Sequence, residues 1–249
     1  LILTVIFFLL IGAVIHSYVT FPASLKWFME IRKEKLFYPV NVKDSPVWSG
    51  KISLVMSCFN EAKVLQQKIE CLERQSFPSG QINFFIGSDA SSDATNEILK
   101  EWENRDNRVN FYPFQQRRGK APVINDLSKY AMEEWGTGKD HVLLFTDANV
   151  ILEDDCIEKM VRHFKDQRIG VVDSHMSSVG ISEEGISTSE KAYIKREVHI
   201  KHLEGRIWGT MMGVFGGCYM VRSNAFSPVP GKFLVDESHP RKNGEKWYC

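Results

Sequence analysis

The first 25 residues contain no charge, neither sign of charge predominates over the whole chain, and no two cysteines stand at metal-binding spacing. Lys and Arg number 31 in 249 residues, and so do Asp and Glu. That equality removes the whole-chain electrostatic footprint of a nucleic-acid binder, so no nucleic-acid partner is expected. The five cysteines (Cys58, Cys71, Cys156, Cys218 and Cys249) are odd in number and lack C-x-x-C spacing, which argues against a disulfide framework or a zinc site and for a reduced compartment. Internal repeats and low-complexity tracts are also missing. With 43% hydrophobic residues, the chain beyond its first segment suits one large domain with a full core.

The uncharged opening is informative. Residues 1–15 are broken only by Thr4 and Gly12, a run long enough to cross a bilayer as a helix. A secretory signal peptide would need a basic leader, a shorter apolar core and a small-residue cleavage site, so one membrane span is the reading. Lys26, Arg32, Lys33 and Lys35 follow it, and the positive-inside rule places everything downstream in the cytoplasm, at the cell membrane, with the lipid bilayer as a partner. With Leu1 in place of Met, a fragment is expected. The expected organisation is a transmembrane helix over 1–25, a cytosolic linker over 26–50 punctuated by Pro39, Pro46 and Gly50, and one domain over 51–249.

From residue 51 a strand-then-helix cycle repeats. Apolar, β-favouring runs at 52–59, 82–86, 109–112 and 141–146 alternate with helices that carry Val64, Leu65, Ile69 and Leu72, then Ile98, Leu99 and Trp102, then residues 122–135. Pro122 suits a first helical turn. Cys156, Ile157, Met160, Val161 and Phe164 mark a further helix, residues 169–172 a further strand, and residues 187–208 a long helix. The alternation predicts an α/β fold with a mostly parallel sheet covered on both faces. The run at 177–187 lacks periodicity and reads as a loop.

Four pieces stand out: SCFNE at 57–61, SDASSDAT at 88–95, RGK at 118–120 and TDANV at 146–150. Three of them end predicted strands, the edge at which open α/β sheets bind ligands. SDASSDAT alone is a capped loop, with Asp93 capping the next helix, while Asp89 at the strand end can accept hydrogen bonds from a base or ribose and is expected to serve the site more than the core. Asp147 and Asn149 bring two hard oxygen ligands out of the sheet two residues apart, which suits Mg2+ or Mn2+ completed by water and phosphate.

In order and spacing these pieces resemble family 2 glycosyltransferases of the GT-A, Rossmann-like nucleotide-sugar fold, in the membrane-bound branch similar to cellulose, hyaluronan and poly-N-acetylglucosamine synthases. The resemblance runs from about residue 51 to residue 237, where VDE stands in place of the family's late ED or DD. It implies a metal-dependent, inverting hexosyl or N-acetylhexosaminyl transfer from a nucleotide-sugar donor, with a UDP-sugar expected, to a glycan or glycolipid acceptor in polysaccharide synthesis. Phe59 takes the position of the aromatic facing uracil, with Asn60 and Glu61 beside it, and Asp89 that of the carboxylate reading the base. Lys120 takes a position near the nucleotide, Asp147 and Asn149 the two ends of the metal motif, and Gly216 and Gly217 an acceptor wall. Asp236 or Glu237 takes the place of the base.

The chain departs from the family at Asn149, where a carboxylate is usual, and at Ser57, where proline is. It lacks the QxxRW segment and later membrane helices, as expected of a truncated sequence. A nucleotide-sugar-binding subunit without turnover and a phosphohydrolase with a strand-end nucleophilic Asp are the alternatives; the second has no use for the loop at 88–95. His199 and His202 lie three apart on a predicted helix without a third ligand, which gives them solvated or core roles. Tyr193, Trp208 and Phe215 read as packing.

Overall fold

Two strands explain why the sheet forms where it does. In β1 (Lys51–Cys58) every residue from Ile52 to Met56 is buried, and so is all of β4 (His141–Thr146), the pattern of strands covered on both faces. The computed structural model describes residues 1–32, 48–175, 177–179, 186–211, 213–214, 216–230 and 246–248. These fall into two units, Leu1–Tyr38 with Ala192–Val214, and Pro39–Lys191 with Phe215–Cys249.

The larger unit holds a six-stranded sheet in the order β3-β2-β1-β4-β8-β6, made of β2 (Ile82–Asp89), β3 (Val109–Phe114), β6 (Val171–Asp173) and β8 (Cys218–Arg222) with the two strands above. The first four are parallel, and β8 runs antiparallel to both β4 and β6. The chain passes from β1 through α3 (Ala62–Glu73) to β2 and through α4 (Thr95–Arg105) to β3, then returns through α5 (Lys120–Trp135) to β4 on the other side of β1. Right-handed crossovers in opposite directions put α3 and α4 on one face and α5 on the other. Odd positions of β1 and β2 face α5, where Val55, Phe85, Leu143, Phe145, Val123, Ile124 and Leu127 form one core cluster. This is the mostly parallel sheet, covered on both faces, that the alternating pattern predicts.

A second sheet, β5-β9-β7, joins β5 (Val150–Ile151), β9 (Lys246–Tyr248) and β7 (Ser177–Val179). The reading of 177–187 as a loop is therefore corrected at its start. Ser177–Val179 is a strand because Lys246–Tyr248, about 70 residues further along, supplies its antiparallel partner, a pairing that local periodicity does not encode. α6 (Cys156–Arg162) follows β5. Cys58, Cys71, Cys156 and Cys218 are buried and in no disulfide among the described residues, and Cys249 lies outside the described residues.

In the smaller unit α1 (Ile2–Ile15), a π-helical turn (His16–Thr20) and α2 (Phe21–Ile31) form one helix of 30 residues, long and apolar enough to cross a membrane. The helix continues past residue 25 because α2 is amphipathic. Leu25, flanked by Phe21, Phe28 and Met29, packs against Ile200, Leu203 and Ile207 of α7 (Ile186–Trp208). Arg196 donates to the carbonyls of Ser17 (3.0 Å) and Tyr18 (2.7 Å) in the π-helical turn. The face of α7 that is buried is this aliphatic one. Tyr193 and Trp208 are 55% and 49% exposed, which corrects their reading as packing residues, and Phe215 lies outside the described residues.

Candidate functional site

β1 and β4 are neighbours, yet the connections leaving β1 and entering β4 run to opposite faces. This is a topological switch point, where the crevice beyond the carboxyl ends of the strands is open to ligands. SCFNE, SDASSDAT and TDANV all lie at that end.

The first two motifs are laced together. Asn60 and Ala90 both adopt left-handed backbone (φ 53° and 58°), which turns each loop sharply off its strand. Asn60 Oδ1 accepts from the Ser92 N–H (2.8 Å), and the Asn60 N–H donates to Ser91 Oγ (3.1 Å). The Glu61 N–H donates to Thr95 Oγ1 at 2.9 Å. Asp93 serves two helices at once: one oxygen accepts the Thr95 N–H at the start of α4 (3.1 Å), and the other the Ala62 N–H at the start of α3 (3.1 Å). Burial pushes its carboxyl up, but the hydrogen bonds from Thr95 and Ala62 outweigh that and hold it below the usual carboxylate range.

Asp89 stands at the end of β2 as expected, but it is 2% exposed and faces inward. Its two oxygens accept the N–H groups of Arg118 and Gly119, each at 2.8 Å. Asp89 thus has a structural role beside the site role expected of it. Its carboxylate anchors the RGK loop, and a base would have to share an oxygen with one of these amides. Gly119 takes φ 89°, a conformation that suits glycine, immediately before α5 begins at Lys120. The anchored loop also carries Arg117, whose guanidinium lies 3.8 Å from the centroid of the Phe59 ring, so a planar cation already stacks on the aromatic at the end of β1. Arg118 packs over Phe114 at 4.2 Å and pairs with Asp126 at 2.8 Å.

At β4 the remaining pieces converge on Asp147. Lys120 Nζ forms an ion pair with Asp147 Oδ1, which joins the RGK and TDANV motifs. The Asp147 N–H donates to the carbonyl of Gly217 (3.2 Å), which brings the glycine pair to the same strand end. Gly216 adopts φ 98°, and a Cβ there would meet nothing within 4 Å, so the backbone at this point borders open space. Asn149 is half-buried in the turn between β4 and β5. Tyr219, stacked on Phe145 at 4.9 Å, has its hydroxyl pushed up to about 12, first by burial and then by the charges of Asp147 and Asp173, so it stays protonated beside them. Among the described residues no group of three His, Cys, Asp or Glu side chains could hold a metal, and His199 and His202 are exposed on α7. Asp236 and Glu237 lie outside the described residues.

The structure therefore brings together Phe59, Asn60, Glu61, Asp89, Lys120, Asp147, Asn149, Gly216 and Gly217 around one sheet edge. Sequence reasoning missed Lys68. Leu65, Lys68, Ile69 and Leu72 follow the i, i+3, i+4, i+7 spacing of a buried stripe, so a lysine at the second position was the available signal.

The comparisons agree with this geometry. A family model described as glycosyl transferase family 2 matches residues 53–228. Two poly-β-1,6-N-acetyl-D-glucosamine synthases of Staphylococcus epidermidis are 29% and 28% identical over 122 residues, 49% of this chain and 27% of each relative. The match thus spans about a quarter of those proteins' length. Among solved structures, a mannosyltransferase from Pyrobaculum calidifontis in complex with GDP-mannose and Mn2+ superposes with a TM-score of 0.59 at 19% identity, covering 84% of this chain and 55% of that one. The fold is of the same GT-A type. Staphylococcus aureus TarS in complex with UDP-GlcNAc gives a TM-score of 0.46 at 19% identity over 55% of this chain and 36% of that one.

Proposed function

The chain belongs to glycosyl transferase family 2, and from that premise we propose that it moves a sugar from a nucleotide-sugar donor, a UDP-sugar first, to a growing polysaccharide or glycolipid acceptor at the membrane. The observation that carries this reading is the meeting of Lys120, Asp147 and Gly217 at the switch point of the sheet. There, a cation for phosphate, a carboxylate for a metal and an open backbone wall for an acceptor share one edge. The relatives named as poly-N-acetylglucosamine synthases favour an N-acetylhexosamine as the sugar. The apolar helix of 30 residues supports membrane anchoring, with the larger unit on the cytoplasmic side by the charge rule.

Asp147 and Asn149 offer one carboxylate and one amide oxygen, hard ligands that fit Mg2+ or Mn2+ if diphosphate oxygens and water fill the other positions. A bound dication would neutralise charge on the departing nucleoside diphosphate. Lys120, a compact cation, binds diphosphate oxygen once released from Asp147. Phe59 stacks the base beneath or in place of Arg117. Gly216 and Gly217 admit the acceptor sugar to the backbone. In the inverting step, Asp236 or Glu237 takes the proton of an acceptor hydroxyl, the hydroxyl oxygen bonds to the anomeric carbon, and the bond from that carbon to the diphosphate oxygen breaks.

The test is release of nucleoside diphosphate by the full chain in lipid, with Mn2+ and a panel of UDP-sugars and GDP-mannose. Release from one donor in the presence of an acceptor supports the proposal. Tight nucleotide binding with no release from any donor would identify a binding subunit instead.

A further inference from the structure

Lys68 belongs to the inward stripe of α3, and its side chain is fully buried. A buried ammonium is strongly unfavourable unless it is well hydrogen-bonded. Leucine or methionine would complete the stripe at no such penalty, so packing alone does not account for a lysine here. Its Nζ donates to Thr146 Oγ1 at 2.8 Å and to the carbonyl of Val150 at 2.6 Å. These acceptors are the two ends of one short segment. Thr146 is the last residue of β4, Val150 the first of β5, and the three residues between them are Asp147, Ala148 and Asn149.

We infer that Lys68 is a positioning residue: by bracketing the turn from inside the domain, it fixes the separation and direction of the Asp147 and Asn149 oxygens and adds a fixed positive charge at the diphosphate end of the site. The inference rests on the reading of this turn as the metal and diphosphate site. Because α3 starts directly after SCFNE, Lys68 also ties the nucleotide loop of β1 to the turn after β4. Partners that orient metal ligands from outside the coordination shell typically change affinity ten- to a hundredfold. Lys68 is placed to act at that level without touching the ion.

The experiment compares the full chain with Lys68→Met and with the double variant Lys68→Met/Thr146→Val. It measures Mn2+ affinity in the presence of UDP by electron paramagnetic resonance, amide hydrogen exchange over residues 147–150, and the thermal midpoint. Lys68→Met is expected to lower Mn2+–UDP affinity about ten- to a hundredfold and to speed exchange in the turn. The double variant also removes the Thr146 hydroxyl, which Lys68→Met leaves with only its long bond to the Asp147 carbonyl (3.4 Å), so it should regain thermal stability without regaining affinity. Parental affinity in folded Lys68→Met, or affinity that returns together with stability in the double variant, would overturn the inference. If Lys68→Met does not fold, Thr146→Val with Lys68 intact decides: weaker Mn2+–UDP binding supports the inference and parental binding overturns it. If the parent binds no Mn2+–UDP at all, the site reading fails, and exchange over 147–150 still decides whether Lys68 holds the turn.

Discussion

Lys120 opens α5 and Asp147 directly follows β4, and the two form an ion pair with side chains 41% and 29% exposed. A pair so open to water adds little stability, so it is readily exchanged for stronger partners. A metal-bound diphosphate provides both, with the dication for Asp147 and phosphate oxygen for Lys120. Lys120→Met should therefore have effects of opposite sign. Mn2+ alone should bind more tightly, because Asp147 loses its internal cation, and UDP with Mn2+ should bind about tenfold more weakly, a loss of ~1.4 kcal/mol. Paired titrations of Mn2+ with and without UDP check this, and changes of the same sign in both would refute the exchange.

The metal ligands make a second prediction. Asp147→Ala should abolish Mn2+-dependent binding of the nucleoside diphosphate, and Asn149→Asp should strengthen it, since each carboxylate lost or gained alters the attraction for a hard dication. Electron paramagnetic resonance of Mn2+ reads both. Unchanged affinity in the two variants would remove the metal from this turn.

Asp89 joins site and stability. Asp89→Ala leaves the partly buried amides of Arg118 and Gly119 without their acceptor. It should cost about 1 kcal/mol of stability, the low end of the penalty for unsatisfied groups because water can reach these amides, and nucleotide affinity should fall with it. Chemical denaturation and calorimetric titration of UDP measure the two. Parental stability would contradict the anchoring role, and parental affinity would separate the RGK loop from the nucleotide.

Asp93 gives the pH dependence. Its carboxyl is held below its ordinary value, so its contribution is present above the unfolded pKa of about 3.9 and is lost as pH falls through the lower folded value. Asp93→Asn should lower the thermal midpoint at neutral pH, and the gap to the parent should narrow in acid below about pH 4. A gap that stays constant across that range would show that ionised Asp93 does not hold the two helix starts.

Much of this was legible in the sequence, and the failures have physical causes. The apolar runs that became β1 and β4 announce themselves because a strand covered on both faces must be largely apolar. Three of the four motifs fall at strand ends because the sheet's ligand edge is fixed by topology. Ser177–Val179 was illegible because its partner strand is distant in sequence. The inward turn of Asp89 depends on two backbone amides that only α5's placement supplies. Lys68 follows the periodicity of a core residue while carrying charge, and its acceptors lie 78 and 82 residues away.

The proposed base divides two neighbouring carboxylates. Glu237→Gln keeps size but cannot take a proton, so turnover should fall about 10²- to 10⁴-fold if Glu237 is the base, with donor binding little changed. Asp236→Asn should show that loss if the role is Asp236's. Steady-state release of nucleoside diphosphate from both variants assigns it, and near-parental rates in both would exclude the inverting step proposed for them.

The most direct test of the central claim is anomalous diffraction from crystals of the chain grown with UDP and Mn2+. The account predicts a manganese peak within coordination distance of the Asp147 carboxylate, diphosphate density against Lys120, and the uracil ring stacked at Phe59. Manganese and nucleotide bound anywhere other than the carboxyl edge of β1 and β4 would contradict it.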